Sequence, residues 1–252
     1  MKYNTACICE YLGTNYSGWQ RQKNGKAIQE VIENLLNNIF REEIKIAGSG
    51  RTDAGVHALG QVFSFKSSTY REPNIITRAL NGLLPRDIAI IDTKSVPLTF
   101  HAGKSVLSKT YLYKILNRPY PSALYYNRAL WVRNEINLDL LNETLSLLHG
   151  RHDFASFCVS KTKKQNTNRT IFFAKAYREN DFINIEINAS GFLHNMVRII
   201  TGTCLNIVTK GGKPEDIIDI LNAKDRKKAG TTAVASGLYQ KEVFITLIIL
   251  VD

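Results

Sequence analysis

Carboxylates are scarce in this chain relative to cations. Its 252 residues hold 22 Asp and Glu against 33 Lys and Arg, a formal net charge of 33 − 22 = +11 at pH 7. So basic a balance favours a polyanionic partner, most simply nucleic acid, the alternative being a solvated basic surface with no partner. Cysteine is sparse too. Cys7, Cys9, Cys158 and Cys204 are the only four, and no spacing among them suits a metal site, so reduced structural thiols are expected and no metal. No apolar run reaches the ~18 residues of a membrane span, and Met1–Thr5 opens no apolar signal segment. A cytoplasmic protein with no membrane partner is expected. The glycine-rich stretch 48–58 has no Gly-Lys-Ser/Thr ending and no G-x-G-x-x-G opening a helix, which argues against the commonest phosphate-cradling loops there.

What is present starts from an ordinary globular composition, 44% hydrophobic and 22% charged. That is ample for a core in one large domain or two small ones. Ala27, Ile28, Val31, Ile32, Leu35, Leu36 and Ile39 recur at helical spacing and predict an amphipathic helix over 27–40. Around it the pattern predicts strands at 3–10, 44–47, 61–67 and 88–96, and a second helix from Pro73 to about Asn81. The order is strand, helix, strand, strand, helix, strand: the split βαβ, ferredoxin-like pattern.

The second half repeats that order with insertions. A strand is predicted over 109–116, and a helix over 138–148 with Asn137 as N-cap and Gly150 as stop. A hairpin at 169–178 and 182–188 follows. Ser190 is expected to cap a long helix over 191–209, a short helix runs from Pro214 to Leu221, and a last strand spans 244–251. The predicted fold is therefore α+β, two ferredoxin-like βαββαβ halves with antiparallel sheets packed around a central basic cleft. The boundary is set near residue 104: 1–104 for the N-terminal half and 105–252 for the C-terminal half.

Chemistry concentrates in Gly48-Ser49-Gly50-Arg51-Thr52-Asp53-Ala54-Gly55-Val56-His57-Ala58. Its three glycines within eight residues allow positive φ or close approach of a ligand to the backbone. One carboxylate, Asp53, stands two residues after one guanidinium, Arg51. Gly-Ser-Gly with Asp also makes an ordinary turn. The length and content of Gly50 to Ala58 resemble the signature of the tRNA pseudouridine synthase A family. The loop from Tyr11 to Gln22 is similar to a family loop as well, with Leu12 where relatives usually carry Asp. Its aromatics beside Gln20 and Arg21 either stack on bases or pin the loop to a core.

Two more segments carry the resemblance. Ser108-Lys109-Thr110-Tyr111-Leu112-Tyr113 resembles the motif whose first tyrosine packs on the target base, with Lys109 in place of the usual Arg. Gly191 to Arg198 resembles the motif whose arginine pairs with the catalytic aspartate. Further departures are Gly103 for the usual Arg after Phe100-His101-Ala102, and Val234 for the usual Pro. The stretch Arg151 to Phe157 invites a His–Asp reading, but it is more simply a loop anchored through Phe154 and Phe157.

The resemblance spans about Tyr3 to Val251. It implies an isomerase converting uridine to pseudouridine at tRNA positions 38, 39 and 40, in the anticodon stem-loop. It also implies a homodimer sharing one tRNA. Asp53 is the implied catalytic carboxylate, Arg198 its partner and Tyr111 the cover over an extruded base. No cofactor is needed, because the uracil ring itself can carry the charge. Arg51 is a candidate to fill the vacated space or hold a phosphate. The other expected substrate contacts are Gln20, Arg21, His57, Lys109, Lys163, Lys164 and Arg169. Basic segments at 160–170 and at Lys224, Arg226, Lys227 and Lys228 are expected to meet phosphates. The rival readings are a pseudouridine synthase for another RNA position and a non-catalytic RNA-binding protein on the same scaffold.

Overall fold

A computed structural model describes residues 2–159 and 166–246. Lys163 and Lys164 lie outside the described residues. The fold is mixed α+β, with ten strands and five α-helices among the described residues. The chain forms two compact units, Met1–Leu107 together with Gln240–Asp252 (described to Thr246), and Ser108–Tyr239. The first unit thus takes back residues 240–246, which the sequence pattern placed in the second half.

In the first unit the elements follow the expected order. They are β1 (Tyr3–Tyr11), α1 (Ile28–Phe40), β2 (Ile46–Gly48), β3 (His57–Ser67), α2 (Pro73–Leu83) and β4 (Ile88–Ser95). The strands pair antiparallel in the order β4-β1-β3, and β2 adds to β3. Helix α1 forms because Ile28, Ile32, Leu36 and Phe40 fall four apart on one stripe, and all four are buried. They pack with Ile76 and Leu80 of α2 on Cys7, Cys9, Tyr11, Phe63 and Phe65 of the sheet. Burial also pushes the Cys7 thiol up to about 12, so it behaves as a small apolar group. Asn81 ties α2 to β4 through both ends of its carboxamide, donating to Ile90 O at 2.9 Å and accepting Ile90 N–H at 2.7 Å.

The second unit contains most of β5 (Val106–Asn117), then β6 (Leu130–Val132), α3 (Leu138–Ser146) and β7 (Gly150–Asp153). The hairpin β8 (Asn168–Glu179) and β9 (Phe182–Ala189), then α4 (Met196–Thr209) and α5 (Asp216–Ala223), complete it. The strand order is β5-β9-β8-β7, with the short β6 parallel to β5. The hairpin turns through Asn180 at φ +53, a conformation asparagine tolerates. Asn137 caps α3 as expected, its Oδ1 accepting Leu140 N–H at 3.0 Å. The strands β6 and β7 were not expected.

Two expectations are corrected here. Ser190 does not cap a helix. Its N–H donates to Thr170 O and its Oγ accepts Thr170 N–H, so it prolongs the β8–β9 pairing. Helix α4 starts instead at Met196, after Asn195 at φ +61. The last strand, β10, spans Leu238–Ile245 rather than starting at Phe244; the remainder of the expected strand, from 247, lies outside the described residues. No helix among the described residues is long and apolar enough to cross a membrane.

Candidate active site

In the first unit the Asp53 loop is fixed from both sides. Trp19 N–H donates to Thr52 O at 3.1 Å, and Gly55 N–H donates to Tyr16 O at 3.3 Å. The Thr52 and Tyr11 hydroxyls meet at 2.8 Å in the interior. Val56 N–H closes a turn onto Asp53 O at 3.1 Å, with Gly55 at φ +76 in the position where such a turn needs glycine. Gly18, at φ +101, lets the neighbouring loop come this close. A Cβ there would stand 2.5 Å from Thr52 O. Asp53 is half-buried between the buried Thr52 and the exposed Ala54. The backbone that carries this carboxylate is held at Thr52 O, at its own carbonyl and at Gly55 N–H, and a fixed backbone is what a nucleophile or base needs.

The aromatics of the 11–22 loop resolve in favour of packing. Tyr11, Tyr16 and Trp19 are all buried. Trp19 stacks 6.0 Å from Tyr11 and tilts 6.1 Å from Phe63, while Tyr16 Oη donates to Asp87 Oδ1 at 2.6 Å. They pin the loop that pins Asp53. His57, expected as a substrate contact, is fully buried, and its Nδ1 accepts Gly13 N–H at 2.9 Å. Its visible role is to shape the loop. Gln20 and Arg51 are exposed. Arg21 is held on α1 by Glu30 at 3.2 Å and Glu33 at 3.8 Å, with its side chain 57% exposed.

In the second unit, Arg198 sits in the first turn of α4. A cation there opposes the positive end of the helix dipole, a local cost that calls for compensation. The compensation is visible. Nε donates to Ala233 O and Nη1 to Asn195 Oδ1, both at 2.7 Å. These bonds fix the guanidinium plane through Nε and Nη1, and Nη2 takes part in neither; a planar guanidinium held in this way can still donate to a carboxylate. Ala233 N–H returns to Arg198 O at 3.1 Å, stapling the 230–237 segment to α4. On β5, Tyr111 is 7% exposed, its ring edge-on to Phe192 at 4.8 Å. Tyr113 shares its face of the strand and donates to Val234 O at 2.8 Å. Burial pushes the Tyr113 hydroxyl well above its ordinary pKa, so it stays a neutral donor.

The basic residues divide. Burial lowers the pKa of Lys109, which is half-buried on β5. Arg169 is turned onto its own loop, Nη1 donating to Asn166 O at 3.0 Å and Asn168 O at 2.6 Å, and burial lowers its pKa too. Arg226 bonds to Ala229 O, Gly230 O and Thr232 Oγ1, so it organises the segment that reaches Ala233. Lys224 pairs with Asp153 at 3.4 Å, while Lys227 and Lys228 are exposed. Phe154 and Phe157 are fully buried and anchor their loop as expected.

Sequence reasoning missed the part played by residues 230–237 and by the buried Gln61. The signal for the former lay in small residues on both sides of the contact: Gly202 of α4 passes under Thr231 O, and a Cβ on Gly237 would stand 2.7 Å from the Tyr113 ring. Gln61 carried no such signal.

Comparison with known proteins matches this chain to a family. The family model for tRNA pseudouridine synthase matches residues 7–103 and 145–244. The chain is 44% identical to tRNA pseudouridine synthase A 2 of Clostridium tetani, over 97% of this chain and 99% of that one. It is 42% identical to tRNA pseudouridine synthase A of a Thermoanaerobacter species, over 94% of this chain and 97% of that one. With the enzyme of the same name from Caldicellulosiruptor saccharolyticus the identity is 42%, over 95% and 98%. The chain belongs to the tRNA pseudouridine synthase family. It is therefore an isomerase that acts on tRNA.

Proposed function

We propose that this enzyme isomerises uridine to pseudouridine at positions 38, 39 and 40 of the tRNA anticodon stem-loop, with Asp53 as the catalytic carboxylate. The reaction breaks the N1–C1′ bond and forms C5–C1′; C5 gives up a proton and N1 takes one. Asp53 acts either as a nucleophile or as a base at the ribose. The observation that carries the reading is the anchoring of Thr52 and Asp53 by Trp19 N–H and Val56 N–H, which holds one carboxylate in a glycine-rich loop. Arg198 is its proposed partner, and the fixed guanidinium plane supports that role. Tyr111 is the proposed cover of the flipped base, with Arg51, Gln20, Arg21, Lys109, Arg169, Lys163 and Lys164 on the RNA. The active form is proposed to be a homodimer. Each unit is read as a ferredoxin-like half, for which the antiparallel order β4-β1-β3 with β2 on β3 is the support.

Unmodified tRNA incubated with the purified protein should acquire pseudouridine at 38–40 and nowhere else when mapped at single-nucleotide resolution. Product at other positions would keep the chemistry and reassign the target, pointing to Gly103, Lys109 and Val234. Asp53→Asn should abolish turnover while tRNA affinity stays within about tenfold, because contacts to phosphates dominate binding. Normal product formation by that variant would end the catalytic assignment. Arg198→Ala should lower turnover strongly, and a rate near wild type would remove its pairing role.

A further inference from the structure

Behind the Asp53 loop lies a buried carboxamide to which the chemistry above gives no role. Gln61, on β3, has no exposed surface. Its Oε1 accepts Ser49 Oγ–H at 2.6 Å and Gln240 Nε2–H at 3.0 Å, and its Nε2 donates to Gly50 O at 2.8 Å. Ser49 is fixed a second time by its N–H on Val62 O at 2.7 Å. Gln240 stands 179 residues further along the chain and is equally buried. Strand β10 can come this near because Gly60 has no side chain: a Cβ there would stand 2.8 Å from Lys241 O.

The donor and acceptor roles in this cluster fit one residue type. Two donors converge on the carbonyl end of Gln61, and its amide end meets a carbonyl, so a carboxamide satisfies both sides at every pH, whereas a carboxyl does so only when protonated. Gln240 Oε1 is buried without a hydrogen-bond partner among the described residues. Burying an orphaned acceptor is unfavourable, and such a group in a folded protein calls for a reason. The reason here is its other end, which completes the shell around Gln61. Gly50 lies three residues before Asp53, so the cluster sets the point from which the catalytic loop departs.

We infer that Gln61 is a positioning residue for Asp53, its carboxamide held in register by Gln240 and fixing the Ser49–Gly50 backbone. This rests on the reading of Asp53 as the catalytic carboxylate. The link also makes the C-terminal strand part of the support of a loop near the start of the chain.

The test compares Gln61→Glu, Gln61→Leu, Ser49→Ala and Asp53→Ala, with kcat and tRNA affinity measured separately and normalised to wild type at each pH. An ionised Glu at 61 offers no donor to Gly50 O, whereas a protonated one places O–H where the amide N–H stood. Burial raises the pKa of such a carboxyl. Gln61→Glu should therefore lose about ten- to a hundredfold in kcat at alkaline pH, the scale of a misplaced catalytic group. It should recover toward wild type as pH falls, while Gln61→Leu stays low throughout. Binding should change by less than about threefold, since the phosphate contacts are untouched. Wild-type kcat in Gln61→Glu at every pH, or a deficit confined to KM, would overturn the inference. If Gln61→Leu does not fold, Ser49→Ala carries the test: a lower kcat supports positioning and an unchanged one refutes it. An active Asp53→Ala would instead overturn the catalytic reading, whereas an inactive Asp53→Ala beside fully active Gln61→Leu and Ser49→Ala would overturn positioning alone.

Discussion

Replacing Gly202 by alanine sets two effects of opposite sign against each other. Gly202 lies within α4, where alanine ordinarily gains about 1 kcal/mol in helix propensity. Yet an added Cβ would overlap the Thr231 carbonyl oxygen and stand 3.1 Å from its carbon and 3.3 Å from Ala233 N. Those are backbone atoms, which cannot swing aside as the end of a side chain can. The strand of chain they belong to is tied to α4 by Gly230 N–H on Thr203 Oγ1 at 2.9 Å, and by the paired bonds between Arg198 and Ala233. Overpacking costs about 1–3 kcal/mol and each distorted bond about 1 kcal/mol. A loss of about 3 kcal/mol against a gain of about 1 leaves Gly202→Ala destabilised by about 2 kcal/mol, a fall in Tm of about 4–8 °C for a chain of this size. Because the displaced segment also holds the Arg198 guanidinium, kcat at 25 °C should fall although the protein remains folded there. Thermal melts and single-turnover rates on tRNA measure the two effects separately. A Gly202→Ala protein that melts higher than wild type and turns over normally would refute the reasoning.

Asn137→Ala removes the side chain that accepts Leu140 N–H and should cost about 1 kcal/mol in urea unfolding, with turnover unchanged. Asp153→Asn gives a pH-dependent result. Burial alone would raise the Asp153 pKa, but Thr167 Oγ1, Ala155 N–H and the Lys224 ammonium together hold it below the ordinary value. A depressed carboxylate stabilises the fold above its unfolded pKa, about 3.9, and that contribution disappears as pH falls through the lower folded value. The stability gap between wild type and Asp153→Asn should therefore be constant from pH 7 to about pH 4 and close below it. A gap that widens in acid would contradict the assignment.

Much of the first unit and the cap of α3 in the second were legible because their signals are local. The stripe of Ile28, Ile32, Leu36 and Phe40 fixes α1, Pro73 opens α2, and Asn137 caps α3. Each depends on residues within a few positions, where backbone propensity and side-chain spacing act directly. The Gly50 to Ala58 run marked the loop of greatest interest in the same way. The misplaced elements are those whose state is set by distant chain. Ser190 reads as a helix cap, but on the neighbouring strand Thr170 O accepts its N–H and Thr170 N–H donates to its Oγ. Residues 238–243 carry no clear apolar–polar alternation, yet they lie in β10. Burial of the loop aromatics could not be read either, since Tyr11, Tyr16 and Trp19 serve equally well on a base or in a core.

The sequence by itself determined helices α1 and α2, the cap of α3, the order of the elements in residues 1–95 and the family, because periodicity, capping and a contiguous motif are written along the chain. Only the tertiary structure decided what surrounds the side chains proposed for the site. Arg198 meets Ala233, 35 residues away, and Gln61 meets Gln240, 179 residues away. Those partners are selected by strand register and by the close approach of backbones at Gly60 and Gly202. Register and close approach arise from the packing of whole elements, and no local spacing encodes them.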